Sequence, residues 1–198
     1  GHCAHLPKRL WSPFLLLPSV MSTPARHSRP VALVTGGVRR VGRAIAFALA
    51  EAGCDIVLTS RQDSEEAQQT LQDLRVLGVH AELAVLELED LLTFPKAADR
   101  LAATQPRWDI LVHSASTYAP APLAQTTPER LLRDYAVHAA APLLLSATLA
   151  PFLARSPLPG GGAIVAMADM HVLGRPRKDF ASYAISKAAL VEMVRSLA

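Results

Sequence analysis

Two side chains near the end of the sequence could move a proton. Tyr183 and Lys187 stand four residues apart in the segment SYAISK, which places them on one face of a helix. An ammonium beside a phenol stabilises the phenolate and lowers a tyrosine pKa that normally lies near about 10. A phenol tuned in this way can act as a general acid. The same spacing also occurs in ordinary amphipathic helices, so the pair needs a site around it.

A glycine-rich turn near the start of the sequence could bind a phosphate. The segment VALVTGGVRRVGRAIAFALAEAG predicts a buried strand, a tight turn and a helix. Gly36 and Gly37 allow backbone angles that other residues avoid, and the start of the helix presents unpaired N–H groups and a partial positive charge. Arg39, Arg40 and Arg43 add cations where a helix dipole alone would prefer acids. These features indicate an anionic ligand, although a plain turn beside a solvated basic face would have the same pattern.

Strand and helix patterns alternate through the rest of the sequence. Strands separated by helices imply a parallel sheet covered on both faces, because each crossover is right-handed and returns the chain to the same edge. We therefore expect an α/β fold with a doubly wound parallel sheet, a Rossmann-like stack of three α/β/α layers, and a ligand crevice beyond the carboxyl ends of the strands. The predicted strands span residues 31–35, 55–60, 81–86, 108–113 and 163–167, and the predicted helices span 64–77, 94–104, 127–149 with a kink at Pro142, and 181–198.

The end of the second predicted strand indicates which dinucleotide fits. In this fold an acid at that point binds the adenosine ribose, whereas an arginine accommodates a 2′-phosphate. The sequence has Ser60 and Arg61 there, without an acid at the tip, which favours NADP(H) over NAD(H). Asp63, two residues after Arg61, is an acid and so argues against this preference for NADP(H). With Glu66 it has the spacing of a capping box, so we assign it to the start of the next helix.

Composition points to one globular domain and argues against several other classes of protein. Of 198 residues, 51% are hydrophobic and 19% are charged, which allows a sizeable core. The formal net charge is only +3 and no basic run is interleaved with aromatics, so we do not expect a nucleic-acid partner. Cys3 and Cys54 are far apart and lack metal-ligand spacing, so we expect neither a disulfide framework nor a metal site.

Residues 1–28 differ from the rest and are expected to be a disordered or non-native extension of a domain that spans residues 29–198. Lys8 and Arg9 precede the short apolar run WSPFLLLPSV, which prolines interrupt. A signal or transit peptide shares some of these features, but the first position is not Met, and Met21 is followed by small polar residues. The run is too short to span a bilayer, so we expect a cytoplasmic protein without a membrane partner.

Taken in order, these motifs resemble the short-chain dehydrogenase/reductase family over residues 29–198, and most closely its pteridine reductases and bacterial dihydromonapterin reductases. The turn TGGVRRVG is similar to the family's TGxxxGxG turn, with Arg40 in place of the middle glycine, as in pteridine reductases. The segment HSASTYAPAPL resembles the one that follows their fourth strand. Asp169 stands where most members of the family have a catalytic serine, again as in that subgroup.

The resemblance implies hydride transfer from NADPH to a C=N bond of a dihydropterin-like substrate. Tyr183 would donate the proton, Lys187 would bind the nicotinamide ribose and tune Tyr183, and Asp169 would orient the proton relay or the pterin. Tyr118 would stack on the pterin. The implied cofactor-binding residues are Gly36, Arg39, Arg40, Val41, Gly42, Ser60, Arg61, Leu88, Ser114, Ala115, Ser116 and Lys187, and the implied substrate-binding residues are Arg40, Ser116, Tyr118, Asp169 and Tyr183.

Three positions depart from the family pattern. His113 and Ser114 replace two asparagines after the fourth strand, and His138 replaces a helix asparagine that usually supports a water near the lysine. We interpret His113 as a core histidine. These departures leave two alternatives open: a carbonyl or acyl reductase of the same family, and an NADP-binding protein without turnover.

The chain stops at Ala198, close to the end of the last predicted helix, whereas family members continue. The resemblance therefore implies a C-terminally truncated reductase domain that lacks the usual final strands, and a homotetramer as the assembly of the family. We expect the apolar side chains of the last helix to lose cover and form an exposed patch: Leu190, Met193, Val194 and Leu197.

Overall fold

Five apolar runs form one parallel sheet in the computed structural model, which describes residues 29–198. The expectation for residues 1–28 lies outside the described residues. The strands lie within two residues of their predicted bounds. They are β1 Val31–Thr35, β2 Asp55–Ser60, β3 Ala81–Val85, β4 Ile110–His113 and β5 Ala163–Ala166.

The order of the strands places a switch point at the centre of the sheet. Strand β1 pairs in parallel with β2 on one side and with β4 on the other, which gives the order β3-β2-β1-β4-β5. In this register Leu33 of β1 lies opposite Val57 of β2 and Leu111 of β4. Strands β2 and β3 therefore extend the sheet on one side of β1, and β4 and β5 extend it on the other side. A crevice opens above the carboxyl ends of β1 and β4 as a result.

Helices cover both faces of the sheet, because successive residues of a strand point to opposite sides. On β1, Leu33 packs in a cluster with Leu145 and Leu149, whereas Val34 packs in a second cluster with Ala46 and Leu71. This confirms the doubly wound α/β fold predicted from the sequence. The helices are α1 Arg40–Glu51, α2 Glu65–Val76, α3 Phe94–Ala102, α4 Pro128–Tyr135, α5 Ala141–Leu153, α6 Met170–Leu173 and α7 Ala181–Leu197.

The helical stretch after Thr127 is longer and less regular than predicted. Thr127 caps its start, since the hydroxyl accepts a hydrogen bond from the Arg130 N–H at 3.3 Å. A π-helical turn, Ala136–Ala140, joins α4 to α5, and the helix continues to Leu153. The irregularity lies before Pro142 and not at it, because a proline offers no N–H to the turn that precedes it. The polar side chain of this turn, His138, is buried and contacts the backbone of Thr117 in the loop after β4.

The last helix is better covered than expected. Helix α7 packs on α4 and on the π-helical turn. Leu190 and Met193 are buried, at 2% and 8% exposure, so the prediction that they would form an exposed patch is wrong. Leu197 is half exposed, at 50%, and Val194 is intermediate.

One helical stretch, Pro128–Leu153, has the length and the mean hydropathy, 1.6, of a membrane-spanning segment. This hydropathy is that of an 18-residue window within the stretch, and more than half of the window, 56%, is buried against the rest of the chain. The core cluster that contains Leu145 and Leu149 accounts for its apolar side chains. We therefore interpret the stretch as a core helix of an α/β domain.

Candidate active site

A cavity of about 820 Å³ lies above the carboxyl ends of the strands, where the switch point predicts a ligand site. The turn after β1, the ends of β2 and β3, the loop after β4 and helix α7 form its wall. Asp169 lies beside this wall and contacts Tyr183. The other residues that the family resemblance implies for the site line the cavity: Gly36, Arg39, Arg40, Val41, Gly42, Ser60, Arg61, Leu88, Ser114, Ala115, Ser116, Tyr118, Tyr183 and Lys187.

The turn after β1 can be built only with glycine at two positions. Gly36 has a φ of +63°, and a Cβ on it would lie 2.7 Å from the Cα of Ala115. A Cβ on Gly42 would overlap the carbonyl oxygen of Gly36 and lie 2.9 Å from its carbon. The turn is therefore closed tightly on the first residues of α1. The start of this helix faces the cavity, where its free N–H groups can bind an anion.

Two of the three predicted cations face the cavity. Arg39 and Arg40 are exposed, and neither forms an ion pair with an acid within residues 29–198. Arg40 has a φ of +50°, the left-handed region that costs a non-glycine residue about 1 kcal/mol or more. Arg43 instead binds the carboxylate of Asp73 at 2.6 Å, so its prediction as a third phosphate ligand is wrong.

An acid accompanies the arginine at the end of β2. Arg61 lies 3.8 Å from the carboxylate of Glu89, which also lies 3.9 Å from Arg133. Glu89 was not predicted, because it comes from the loop after β3 and only the folded chain brings it near β2. The capping role assigned to Asp63 is wrong: Ser64 caps α2, while Asp63 accepts a hydrogen bond from the side chain of Gln68.

The phenol of Tyr183 donates a hydrogen bond to the carboxylate of Asp169, at 2.7 Å. Burial and this carboxylate raise the pKa of Tyr183 above its ordinary value. Burial opposes the ionisation of Asp169, but hydrogen bonds from the His171 N–H and from Tyr183 lower its pKa below the usual range. The phenol therefore keeps its proton, and the ionised carboxylate accepts a hydrogen bond from the phenol.

Lys187 does not tune the phenol in this arrangement. Its ammonium donates to the carbonyl oxygen of Met167 at 2.6 Å and lies 6.0 Å from the centre of the Tyr183 ring. The prediction that Lys187 lowers the pKa of Tyr183 is therefore not met. Burial lowers the pKa of Lys187 itself to about 8. The ammonium stands between Tyr183 and the end of β5, in the cavity wall.

An aromatic cluster borders the cavity beside Tyr183. The ring of Tyr118 stacks on Phe180 with centroids 4.6 Å apart and meets the edge of Tyr183 at 5.0 Å. The guanidinium of Arg177 lies over both Tyr118 and Phe180 and donates to the Tyr118 hydroxyl. The sequence predicted Tyr118 for the site but not Phe180 or Arg177, because neither of them belongs to a recognisable short motif.

A supporting polar residue, Thr35, was also missed. The hydroxyl of Thr35 accepts hydrogen bonds from the N–H groups of Ser114 and Ala115, at 3.0 and 3.2 Å, and so shapes the loop after β4. The presence of a threonine at the end of a buried strand is the sequence signal that could have identified Thr35.

His113 is a core histidine, as predicted: it is 3% exposed and its Nε2 lies 2.9 Å from the hydroxyl of Ser146.

A family model described as "short chain dehydrogenase" matches residues 30–198. An uncharacterized oxidoreductase of Mycobacterium tuberculosis is 28% identical, over 83% of this chain and 61% of its own length. An NADPH-dependent aldehyde reductase-like protein of Arabidopsis thaliana is 30% identical, over 90% of this chain and 72% of its own length. A short chain dehydrogenase of Burkholderia cenocepacia, solved in complex with NADP, has a TM-score of 0.76 at 31% identity, covering 85% of this chain and 66% of that one. The chain thus spans about three fifths to three quarters of the length of these relatives.

Proposed function

This chain belongs to the short chain dehydrogenase family, and on that premise we propose that it is an NADP(H)-dependent reductase. Solved relatives were crystallised with NADP, and the Arabidopsis relative is described as NADPH-dependent. Arg61 at the end of β2 supports the phosphorylated cofactor, since no acid from the end of that strand competes for the ribose position.

The residues present fit a dinucleotide. The glycine turn leaves room for close approach of a phosphate, and a Cβ at Gly36 or Gly42 would remove that room. Arg39 and Arg40 supply cations at the same end of the cavity. Ser60 and Arg61 would hold the 2′-phosphate end, and Lys187 would hold the nicotinamide ribose. When bound, NADPH supplies the hydride for the reduction.

We propose a dihydropterin-like compound as the substrate, reduced at a C=N bond. The carbon of that bond takes the hydride, and the nitrogen takes the proton as the O–H bond of Tyr183 breaks. The observation that carries the proposal is the 2.7 Å hydrogen bond between Tyr183 and Asp169. A carboxylate at this point can accept N–H groups of an aminopyrimidine ring, which a serine hydroxyl does less well. Tyr118, which lines the cavity, would stack on the same ring.

A carbonyl reductase is the second candidate. The Arabidopsis relative is described as aldehyde reductase-like, and a solved relative from Salmonella typhimurium as an acetoin dehydrogenase. In this case Tyr183 protonates the carbonyl oxygen, and Asp169 orients the phenol without binding the substrate. The same cavity and the same cofactor serve both reactions.

Consumption of NADPH distinguishes these candidates. Its absorbance should fall with dihydrobiopterin or dihydromonapterin at a kcat/KM at least about tenfold above that for a panel of aldehydes, diketones and 3-oxoacyl thioesters. Preference for the carbonyl panel would replace the first candidate by the second. Binding of NADPH without consumption in any assay would reject both and indicate a dinucleotide-binding protein without turnover.

We also propose a homo-oligomer, a tetramer by resemblance to the family, in the cytoplasm. Four large apolar side chains of α4, α5 and α7 support this, because they are exposed in the single chain: Leu132 at 67%, Tyr135 at 47%, Leu143 at 48% and Ile185 at 59%. Light scattering on the purified protein would give the number of subunits directly.

A further inference from the structure

One buried carboxylate lies between the loop after β4 and helix α7. It belongs to Asp134, near the end of α4, which is 4% exposed. Its Oδ1 accepts a hydrogen bond from the hydroxyl of Thr117 on the loop, at 2.9 Å. Its Oδ2 accepts a second hydrogen bond, from the hydroxyl of Ser182 on α7, at 2.7 Å. The two oxygens bind different segments of the chain, so the carboxylate forms a bridge between them.

Arg130 accompanies this carboxylate. Its Nε lies 3.8 Å from Oδ2 of Asp134, one turn later on the same helix, and its guanidinium donates to the carbonyl oxygen of Ala119 in the loop after β4. Burial of a charge is costly unless the charge is paired and hydrogen-bonded, and apolar side chains usually fill such a space with no loss of stability. We therefore interpret Asp134 as a residue that fixes positions, and the segments it joins indicate which positions these are.

Both hydroxyl donors stand directly before a tyrosine of the site. Thr117 precedes Tyr118, and Ser182 precedes Tyr183. Both tyrosines line the cavity, and their rings meet edge to face with centroids 5.0 Å apart. Asp134 is outside the cavity wall, so it acts on the site only through these neighbours. The bridge therefore joins the two backbone segments that carry the rings.

We propose that Asp134 is a positioning residue that fixes Tyr118 relative to Tyr183, and so sets the place of a substrate ring against the phenol that protonates it. Groups that act together in a reaction have to be held within about 0.5 Å of the productive geometry. One carboxylate bound to both segments supplies this restraint, because neither segment can shift without loss of a hydrogen bond. The effect on turnover rests on the proposed function, which places a substrate beside both tyrosines.

Fluorine spectra test the bridge without turnover. In the protein labelled with 3-fluorotyrosine, the ¹⁹F signals of Tyr118 and Tyr183 are identified by their loss when each residue is replaced by phenylalanine. Thr117→Val and Ser182→Ala each disconnect the two segments, so both signals should move in either variant. The double variant should move them little further, because the connection is already lost. Additive shifts would show that each hydroxyl acts only on its own neighbour, and would overturn the proposal.

The same variants test the effect on the reaction with dihydrobiopterin. Thr117→Val and Ser182→Ala should each lower kcat about tenfold, and the double variant should also be about tenfold slower, whereas independent effects would make it about a hundredfold slower. The dissociation constant of NADPH should change less than about threefold, since the glycine turn is unaltered. Ser146→Ala removes a similarly buried hydroxyl, the partner of the core histidine His113, and is the matched control. It should leave kcat within about twofold.

Substitution of Asp134 itself separates the bridge from the charge. In Asp134→Asn the amide oxygen can accept from one hydroxyl and the amide N–H can donate to the other, because a hydroxyl is also an acceptor. Most of kcat should therefore remain in Asp134→Asn and be lost in Asp134→Ala. Should Asp134→Ala fail to fold, the two hydroxyl variants, which keep the carboxylate beside Arg130, still decide the question.

Two kinetic results would overturn the proposal. Equal losses in Asp134→Asn and Asp134→Ala would show that the charge matters and the bridge does not. An unchanged kcat in Thr117→Val and Ser182→Ala would show that the tyrosines need no such restraint. Absence of turnover in the unsubstituted protein would instead reject the proposed function, and the fluorine spectra would still decide whether Asp134 positions the two rings.

Discussion

At the scale of single residues, the site holds its acid in the protonated form. Tyr183 is buried and donates to Asp169, so its proton is retained at neutral pH. The sequence predicted the phenol and the ammonium from their spacing, but the spacing does not show that Lys187 turns to the Met167 carbonyl. A spacing of four residues places two side chains on one face of a helix, but it does not determine which groups each side chain will bind.

Arg40 has a strained backbone conformation and a positively charged side chain in the cavity wall. Arg40→Gly should raise the free energy of unfolding by about 1 kcal/mol relative to Arg40→Ala, because glycine adopts a φ of +50° without a Cβ clash. Both substitutions should weaken NADPH binding by a similar factor, since both remove the guanidinium. Urea denaturation and NADPH fluorescence titration measure the two quantities. Equal stabilities would show that the backbone is not strained at this position.

Arg61 should decide between the two nicotinamide cofactors. Arg61→Ala should weaken NADPH about tenfold or more and leave NADH within about twofold, because only NADPH carries the 2′-phosphate. Arg133→Ala is the matched control: Arg133 lies 3.9 Å from the same Glu89 carboxylate but outside the cavity wall. Ratios of the dissociation constants from titrations give the result. An unchanged preference in Arg61→Ala would remove the argument for a phosphate at this point.

At the scale of elements, the strands could be predicted almost completely and the helices less well. Apolar runs such as VALVT and DIVLTS are buried on both faces, which leaves little choice of structure. The π-helical turn and the four-residue helix α6 could not be predicted, since neither has a periodicity of its own. His138 was identified only as a replaced asparagine, because its partners Ser116 and Ser186 lie 22 and 48 residues away in the chain.

The strand, turn and helix of the phosphate site should be sensitive to one added methyl group. In Gly42→Ala the Cβ would collide with the Gly36 carbonyl, so the turn must open, and NADPH affinity should fall at least about tenfold. Gly53→Ala is the control. It strains a residue with a φ of +90° at the other end of α1, where a Cβ meets nothing within 4 Å. It should cost stability but leave affinity unchanged. Equal losses of affinity would contradict a role for the tight turn.

At the scale of the whole molecule, two buried histidines make stability depend on pH. Burial lowers the pKa of His113 and of His138 to about 4, whereas in the unfolded chain both titrate near about 6.5. Between these values the unfolded state binds more protons, so stability falls as the pH falls from about 6.5 towards 4. Each histidine should cost about 2 kcal/mol at pH 5 relative to pH 7.

Urea denaturation at pH 7 and pH 5 measures this dependence. His113→Asn should remove about half of it, since one of the two histidines is gone. Lys187, with a pKa of about 8, is charged in the folded and unfolded states throughout this interval and contributes no slope there. A variant with the full pH dependence would contradict the account of His113 as a neutral core residue.

The central claim is that one cavity binds NADPH at the glycine turn and protonates a substrate from Tyr183 at its other end. A single-turnover measurement of NADPH oxidation with dihydrobiopterin, made on Tyr183→Phe beside a titration of NADPH binding, tests it most directly. We predict that the rate falls by about 10² to 10⁴ while the dissociation constant of NADPH changes less than about twofold. An unchanged rate, or equal losses of rate and affinity, would contradict the claim.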